Sequence, residues 1–410
     1  MFQKKTLRMI ALIAATVLCL GMLASCTSNS DDGLNGVTGS VGGNLSIGNK
    51  QENAGNQQDN TVNNNENNAG SEQPGTETPG GNGQGGTEDP DTPVTNAPEG
   101  GEEENDPYAK MKADKTGTPL KILCQNLRLN SKQEWGSDND IKIRRYRFQW
   151  LMDKYDPDIL CGQEADSSWI SILQEDYSSE YEMFYEYRGN TTGSNEACPV
   201  LWKKDKYTKL KDGYFWLSDT PGVSSPSYVG GLPRIVNWVS LKDKQTGQEF
   251  YIYSTHFSLD LKPEHMTKTR TLIAEHFAKV SNDAYAFIMG DFNISYMSDQ
   301  YYELVDGVTL ADLRPISEEM AANGHCELGD IRKGAYNGFT EDDGGVFGDF
   351  IMTLPRKHLA VDFFGYCYEK PAVPEQGVGP GFVSDHFAVY TEVRMGSELS
   401  YTEYFGDNAK

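Results

Sequence analysis

The stretch Phe287-Ile288-Met289-Gly290-Asp291-Phe292-Asn293 constrains this chain more than any other. An apolar run of this kind reads as a strand buried on both faces. It breaks at Gly290 and then presents an acid, an aromatic and an amide. In extended backbone a two-residue step points Asp291 and Asn293 the same way. An acid there can take the proton of a water that the amide orients. The competing reading is a strand followed by an Asx turn, which Asp and Asn equally favour. On this stretch alone the two readings stand level.

The same pattern recurs along the chain. Leu120 to Asn126 is an apolar strand ending in an amide, and Ile141 to Tyr155 has apolar positions at helical spacing, stopped by Pro157. Asp158 to Glu164 is a second strand, ending in Gln163-Glu164. Strand, helix, strand and acid in that order belong to an α/β layer. Tyr181–Tyr187, Pro199–Trp202, Tyr214–Leu217 and Ile235–Leu241 read as successive strands of a meander. A strand from Gln248 ends in Ser254-Thr255-His256, and a helix is expected from Pro263 to Val280. Late strands carry Asp349-Phe350-Ile351 and Val361-Asp362-Phe363, and another follows Ser384-Asp385-His386.

Each polar residue has a bland explanation. Asn126 and Asp385 suit turns, Glu164 could cap a helix starting near Asp166, and His256 and His386 could be satisfied half-buried histidines. As a set they are the residue types that bind a hard divalent cation through oxygen and move protons at a phosphate.

The rest of the chain sets the surroundings. Lys4, Lys5 and Arg8 precede an apolar stretch from Met9 to Leu20, which reads as an export signal over residues 1–25. Leu23-Ala24-Ser25-Cys26 resembles the bacterial lipobox, which implies that Cys26 is lipidated and holds the chain to a membrane. Residues 27–107 are built from Asn, Gly, Gln, Thr, Glu and Pro, a composition expected to stay disordered and to act as a tether. A domain is expected over residues 108–398, with a tail at 399–410. The formal charge is -24, and roughly 32 of the 36 basic and 45 of the 60 acidic residues lie beyond residue 107. That acidic balance argues against a broad basic face for gripping nucleic acid. Cys124, Cys161, Cys198, Cys326 and Cys367 are odd in number and widely spaced, which implies neither a disulfide framework nor a zinc site.

Taken in order, Gln125-Asn126-Leu127-Arg128, Gln163-Glu164, Ser254-Thr255-His256, Gly290-Asp291-Phe292-Asn293, Asp349-Phe350-Ile351 and Ser384-Asp385-His386 resemble the motifs of the endonuclease/exonuclease/phosphatase, or deoxyribonuclease-I-like, superfamily. The likeness runs from about Leu120 to Val393. It implies a four-layered α/β/β/α sandwich of two packed mixed sheets flanked by helices. By the resemblance Glu164 is the principal Mg²⁺ ligand (Mn²⁺ could take its place), supported by Asn126 and Asp385. Asp291 activates or holds the water, Asn293 orients it or contacts the phosphate, and His256 donates to a phosphate oxygen. His386 is the second catalytic histidine, with Asp349 holding its tautomer. Whether His386 or Asp291 removes the proton stays open. Two places depart from the usual pattern, His256-Phe257-Ser258-Leu259-Asp260 and Phe347-Gly348-Asp349. Arg234 and Arg270 are candidates for clamping a phosphate, or for structural ion pairs.

The expected activity is metal-assisted water attack on a phosphoric ester, a phosphodiester being favoured. The substrate could be nucleic acid, phospholipid or sugar phosphate. The protein is expected to be a monomer, lipid-anchored at the cell surface or on a periplasm-facing membrane. A catalytically silent surface binding protein on the same fold is the rival reading.

Overall fold

The computed structural model describes residues 116–397, except 190–194, 281–283, 308, 323, 325, 332–333, 341–347 and 356–357. The export signal, Cys26, the tether, residues 108–115 of the expected domain and the tail lie outside the described residues.

β1 (Thr118–Asn126) leads through α1 (Ile141–Tyr155) to β2 (Ile159–Gln163), which lies parallel to β1. The Asp140 side chain accepts the Lys142 N–H to start α1, and Asp156, left-handed at φ 43°, ends it just before Pro157. Next come α2 (Ser167–Tyr177), β3 (Tyr181–Phe184), β4 (Val200–Lys203), β5 (Tyr207–Trp216), β6 (Ile235–Asp243), β7 (Glu249–His256), α3 (Pro263–Val280) and β8 (Tyr285–Asp291). The chain continues with α4 (Asp299–Leu304), β9 (Ala311–Asp312), α5 (Leu313–Ala322), β10 (Glu327–Leu328), β11 (Asp349–Thr353), β12 (Leu359–Cys367) and β13 (Ala388–Met395).

The strands form two mixed sheets. One has the order β10-β12-β13-β1-β2-β4-β3, the other β5-β6-β7-β8-β11-β9. The expected meander is therefore divided. β3 and β4 finish the first sheet, whereas β5, β6 and β7 run antiparallel in the second. Alternation along a strand reports which face is buried, and it carries no information on which of two sheets receives the strand.

Both sheets are covered twice. Leu120, Ile122 and Cys124 of β1 meet Ile252 of β7 and Phe287 and Met289 of β8 in a core between the sheets. Leu123, one residue out of phase, packs under α1 and α2 with Phe148 and Trp169. Ile288 and Tyr253 face the other way, toward Met266, Ile273 and Phe277 of α3. The result is the expected α/β/β/α sandwich. It also explains why the central strands read as unbroken apolar runs, since each such side chain is worth about 1.5–3 kcal/mol when buried. The five described cysteines are free, with Cys124 and Cys161 inside the core between the sheets.

Candidate active site

Parallel pairing decides where the polar groups gather. β1 and β2 end together at Asn126 and Gln163, and β7 and β8 end together at His256 and Asp291. β11 enters antiparallel beside β8, so Asp349 lies opposite Asp291. β13 runs antiparallel to β1, which brings Asp385 and His386, just before its start, to the same end. Residues far apart in sequence thus meet at one mouth because β1, β2, β7 and β8 end there and β11 and β13 begin there.

Asp291 is the hub. Its Oδ1 accepts the Asn293 N–H at 2.9 Å, an Asx turn, and its Oδ2 accepts from Asn126 Nδ2 at 3.0 Å. The turn is therefore present, and it uses one carboxylate oxygen while the other faces the mouth. Asn293 is left-handed at φ 51°, so the two side chains do not share extended geometry as expected. Instead the Asn293 amide reaches back, lying 2.9 Å from His256 Nε2 and donating to the Phe257 carbonyl at 3.0 Å. The second bond fixes the orientation of the amide, so His256 Nε2 accepts and the ring proton sits on Nδ1. Gly290 is required at φ 153°, because a Cβ there would stand 1.8 Å from the Thr255 carbonyl oxygen. Gly348 likewise lets β11 approach, since its Cβ would fall 2.9 Å from Asp291 Oδ1.

Two imidazoles flank Asp291 Oδ2, His256 Nε2 at 3.6 Å and His386 Nε2 at 3.7 Å. His386 donates from Nδ1 to Asp349 Oδ2 at 2.7 Å. Burial works against its charge, but Asp349 and then Asp291 outweigh burial and lift its pKa to about 10. Burial lowers His256 to about 4, with Arg234 adding to the effect. At Asp291 burial raises the carboxyl, yet His386, His256, the Asn293 N–H and the Asn126 amide hold it below the usual carboxylate range. Near neutrality the site therefore holds an ionised Asp291 between a charged His386 and a neutral His256.

Glu164 stands at the end of β2, left-handed at φ 55°. It is not the cap of α2, because Asp166 takes that role, accepting from Ser168 N and Trp169 N. Glu164 Oε1 accepts from Asn126 Nδ2 at 3.3 Å and Oε2 from Leu129 N at 3.2 Å. Asp385 Oδ2 lies 3.5 Å from Arg128 Nη1, and Arg128 feels both Asp385 and Glu164. Arg270 pairs with Asp306 at 3.3 Å, which is the structural role. Arg234 stands before β6, and its side chain has no hydrogen-bond or ion-pair partner among the described residues; its Nε and Nη1 are enclosed.

A model of the endonuclease/exonuclease/phosphatase family matches residues 149–386, more than half of the 410-residue chain. The chain belongs to this family. A family protein of Bacteroides thetaiotaomicron superposes with a TM-score of 0.59 at 23% identity, over 68% of this chain and 99% of that one. A mannosyl-6-phosphatase of Bacteroides thetaiotaomicron gives 0.58 at 24%, over 67% and 99%. An uncharacterized protein of Acanthamoeba polyphaga mimivirus is 25% identical over 189 residues, 42% of this chain and 67% of the relative.

Family members hydrolyse phosphoesters and are generally dependent on a divalent metal. The acidic mouth fits such an ion, because carboxylate and amide oxygens are the donors a hard cation prefers. Two groups compete to hold it. Asp291, Asp349 and His386 each place a ligand atom within 4.8 Å of the others. There, however, the 2.7 Å hydrogen bond occupies His386 Nδ1, and a protonated imidazole donates no lone pair at its other nitrogen. Glu164 and Asp385 offer oxygens without that competition. Asn126 spends its amide nitrogen on Glu164 and Asp291, and its Oδ1 accepts the Arg128 N–H at 3.0 Å, with one lone pair still to offer.

Several supporting residues escaped the sequence reading. Arg144 is fully buried and donates to the carbonyls of Leu127, Arg128, Leu129 and Asn139. Arg147, one turn on, donates to the Gly379 and Phe382 carbonyls. Together they tie α1 to the loop after Asn126 and the loop before Asp385. A signal was present, since two arginines at a three-residue spacing share a helix face with Phe148 and Leu151. Tyr336, packed against the His386 ring at 5.2 Å, carried no such signal.

Proposed function

We propose that this protein is a Mg²⁺-dependent phosphoric ester hydrolase, lipid-anchored through Cys26 and acting outside the cytoplasm. The observation that carries the chemistry is Asp291 Oδ2, an ionised carboxylate oxygen faced by Asn126 at 3.0 Å and by His256 and His386 at 3.6 and 3.7 Å. An oxygen so placed can hold a water and take its proton, and its depressed pKa keeps it ionised for the task. His386, held charged by Asp349, cannot accept that proton while it is protonated. This assigns the base to Asp291 and leaves His386 to stabilise charge developing at the phosphoryl oxygens. His256 stays neutral, with its orientation set by Asn293.

A bound Mg²⁺ on Glu164 and Asp385 would withdraw charge from a phosphate oxygen. Asn126 would hold Glu164 and Asp291 in fixed relation, since one amide bonds to both. The Lys4-to-Leu20 signal and the lipobox support export and anchoring, and the 27–107 composition supports a tether. The test is a substrate panel run with Mg²⁺ and with EDTA, containing a sugar phosphate, a phospholipid, DNA, RNA and p-nitrophenyl mono- and diesters. Metal-dependent turnover is expected. Absence of product from every substrate, or activity surviving both Asp291→Ala and His386→Ala, would sink the proposal and favour a silent binding protein.

A further inference from the structure

Arg144 of α1 is fully buried and turns its guanidinium on the loop that follows β1. Its Nη1 donates to the Leu127 carbonyl at 2.6 Å, and its Nη2 to the Arg128 and Leu129 carbonyls at 3.0 and 3.2 Å. Three consecutive carbonyls thus converge on one cation. In a planar trans peptide the N–H points away from the carbonyl, so the same three peptide units aim their N–H groups the other way. The Arg128 N–H reaches Asn126 Oδ1 at 3.0 Å, the Leu129 N–H reaches Glu164 Oε2 at 3.2 Å, and the Asn130 N–H reaches Asp166 Oδ2 at 3.2 Å. Each unit is a lever, with Arg144 at one end and a polar side chain from the end of β1 or β2 at the other. Hydrogen bonds in line polarise one another, so the charge on Arg144 also strengthens each N–H as a donor.

The loop does not hold this shape by itself. Arg128 is left-handed at φ 54°, a conformation that a non-glycine residue keeps only where its surroundings impose it. Its carbonyl is gripped twice, by Arg144 and by Trp169 Nε1 at 2.6 Å. The guanidinium in turn packs against the rings of Trp169 and Phe339, 5.4 and 5.7 Å from their centroids. Phe339 follows Asn337 and Gly338, whose N–H groups donate to the Asp385 carbonyl at 2.8 and 3.1 Å. The Arg128 side chain lies 3.5 Å from Asp385 Oδ2. Arg144 therefore stands behind Asn126, Glu164 and Asp385 together. Among the described residues, none of its hydrogen bonds or ion pairs reaches Asp291, Asp349 or His386.

We infer that Arg144 is a positioning residue for the metal. Through the three peptide planes it fixes the oxygens of Asn126 and Glu164, and through Arg128 and Phe339 it fixes Asp385, so that it sets how tightly a divalent cation binds. The inference rests on the metal-assisted hydrolase reading of the same mouth and deepens it, because it places the ion on Glu164 and Asp385 rather than on Asp291, Asp349 and His386.

The experiment uses the full chain and compares wild type, Arg144→Lys and Arg394→Lys. Lysine keeps the charge, but as a compact point charge it lacks the planar fork that spans three carbonyls. Arg394 is also buried, held by Asp362 and the Thr116 carbonyl at the end of the sheet away from the mouth, and it controls for lost stability alone. Calorimetry measures Mn²⁺ and Mg²⁺ binding without substrate. Hydrogen exchange by NMR in EDTA follows the Leu129 amide against the Leu123 amide of β1. Arg144→Lys is expected to weaken metal binding by about 10–100-fold and to lose Leu129 protection while Leu123 stays protected. Arg394→Lys is expected to lower Tm and leave both readings at wild-type values. Unchanged metal affinity in Arg144→Lys, equal losses in the two variants, or a wild type that binds neither ion overturns the inference. Should Arg144→Lys fail to fold, Phe339→Leu takes its place, since it removes one ring from the guanidinium and leaves the carbonyl bonds. A loss of affinity there with Leu123 protection kept supports the inference, and unchanged affinity overturns it. Activity on p-nitrophenyl mono- and diesters separates this role from the hydrolase reading. If the binding and exchange results hold and no phosphoester is cleaved, the hydrolase reading falls and the positioning role stands. If wild type and Arg144→Lys cleave with the same Mg²⁺ requirement, the positioning role falls and the hydrolase stands.

Discussion

His256 and His386 face the same carboxylate oxygen from nearly equal distances, 3.6 and 3.7 Å, and the fold gives them opposite charge states. Both are buried, and both feel Asp291. The difference lies in what stands behind each ring. Asp349 backs His386 through a 2.7 Å bond, whereas Arg234 and the Asn293 amide stand by His256. One residue type at one site can thus serve as a fixed cation and as a neutral hydrogen-bonding group, according to the charge of its neighbour.

Four experiments would break or sharpen this contrast. The largest effect is expected from Asp291→Asn, which removes the charge both rings share. Hydrolysis should fall by about 10³–10⁴-fold in steady-state assays with metal, and the pKa of each histidine should drop. Asp349→Asn comes next. It should cost about 10²-fold in rate and lower His386 by about one to three pH units from its value near 10. An NMR titration in EDTA reads the shift, and a His386 that titrates unchanged would remove Asp349 from its role.

Stability against pH gives the third test, on metal-free protein by denaturant unfolding. His386 has a folded pKa near 10, raised above the ordinary value of about 6.5. Its contribution is therefore complete below about pH 6.5 and is lost as pH rises toward 10. For His256 the folded pKa is depressed to about 4, so the unfolded chain binds the extra proton and stability falls as pH drops from about 6.5 toward 4. Asp349→Asn should flatten the alkaline slope, and His256→Gln the acid one. Exchanged or identical slopes would mean the two charge states are assigned wrongly. The smallest effect is expected from Arg234→Met, which should raise His256 from about 4 toward its ordinary value and leave His386 within a few tenths of a unit.

Much of the scaffold was legible because strands buried on both faces announce themselves, and α1 and α3 were bounded by Pro157 and Pro263. The pairing of β8 with β11 was not legible. No local pattern says that Asp349 stands across from Asp291, so only the family resemblance pointed to its partnership with His386. Glu164 was ambiguous for a similar reason: both it and Asp166 suit a helix N-terminus, and only the three-dimensional path shows which one turns to the cap. The Arg188–Glu196 pair and the isolation of Arg234 come from segments whose side chains meet only after folding.

The 3.0 Å bond from Asn126 to Asp291 has one more consequence. Asn126 belongs to the first sheet and Asp291 to the second, so the bond is a seam between the two halves of the sandwich. A chain in which only one sheet has formed owns half of the reacting groups and has no seam. Turnover is then an all-or-none reporter of the finished fold, and in a urea titration it should vanish together with the global transition rather than ahead of it.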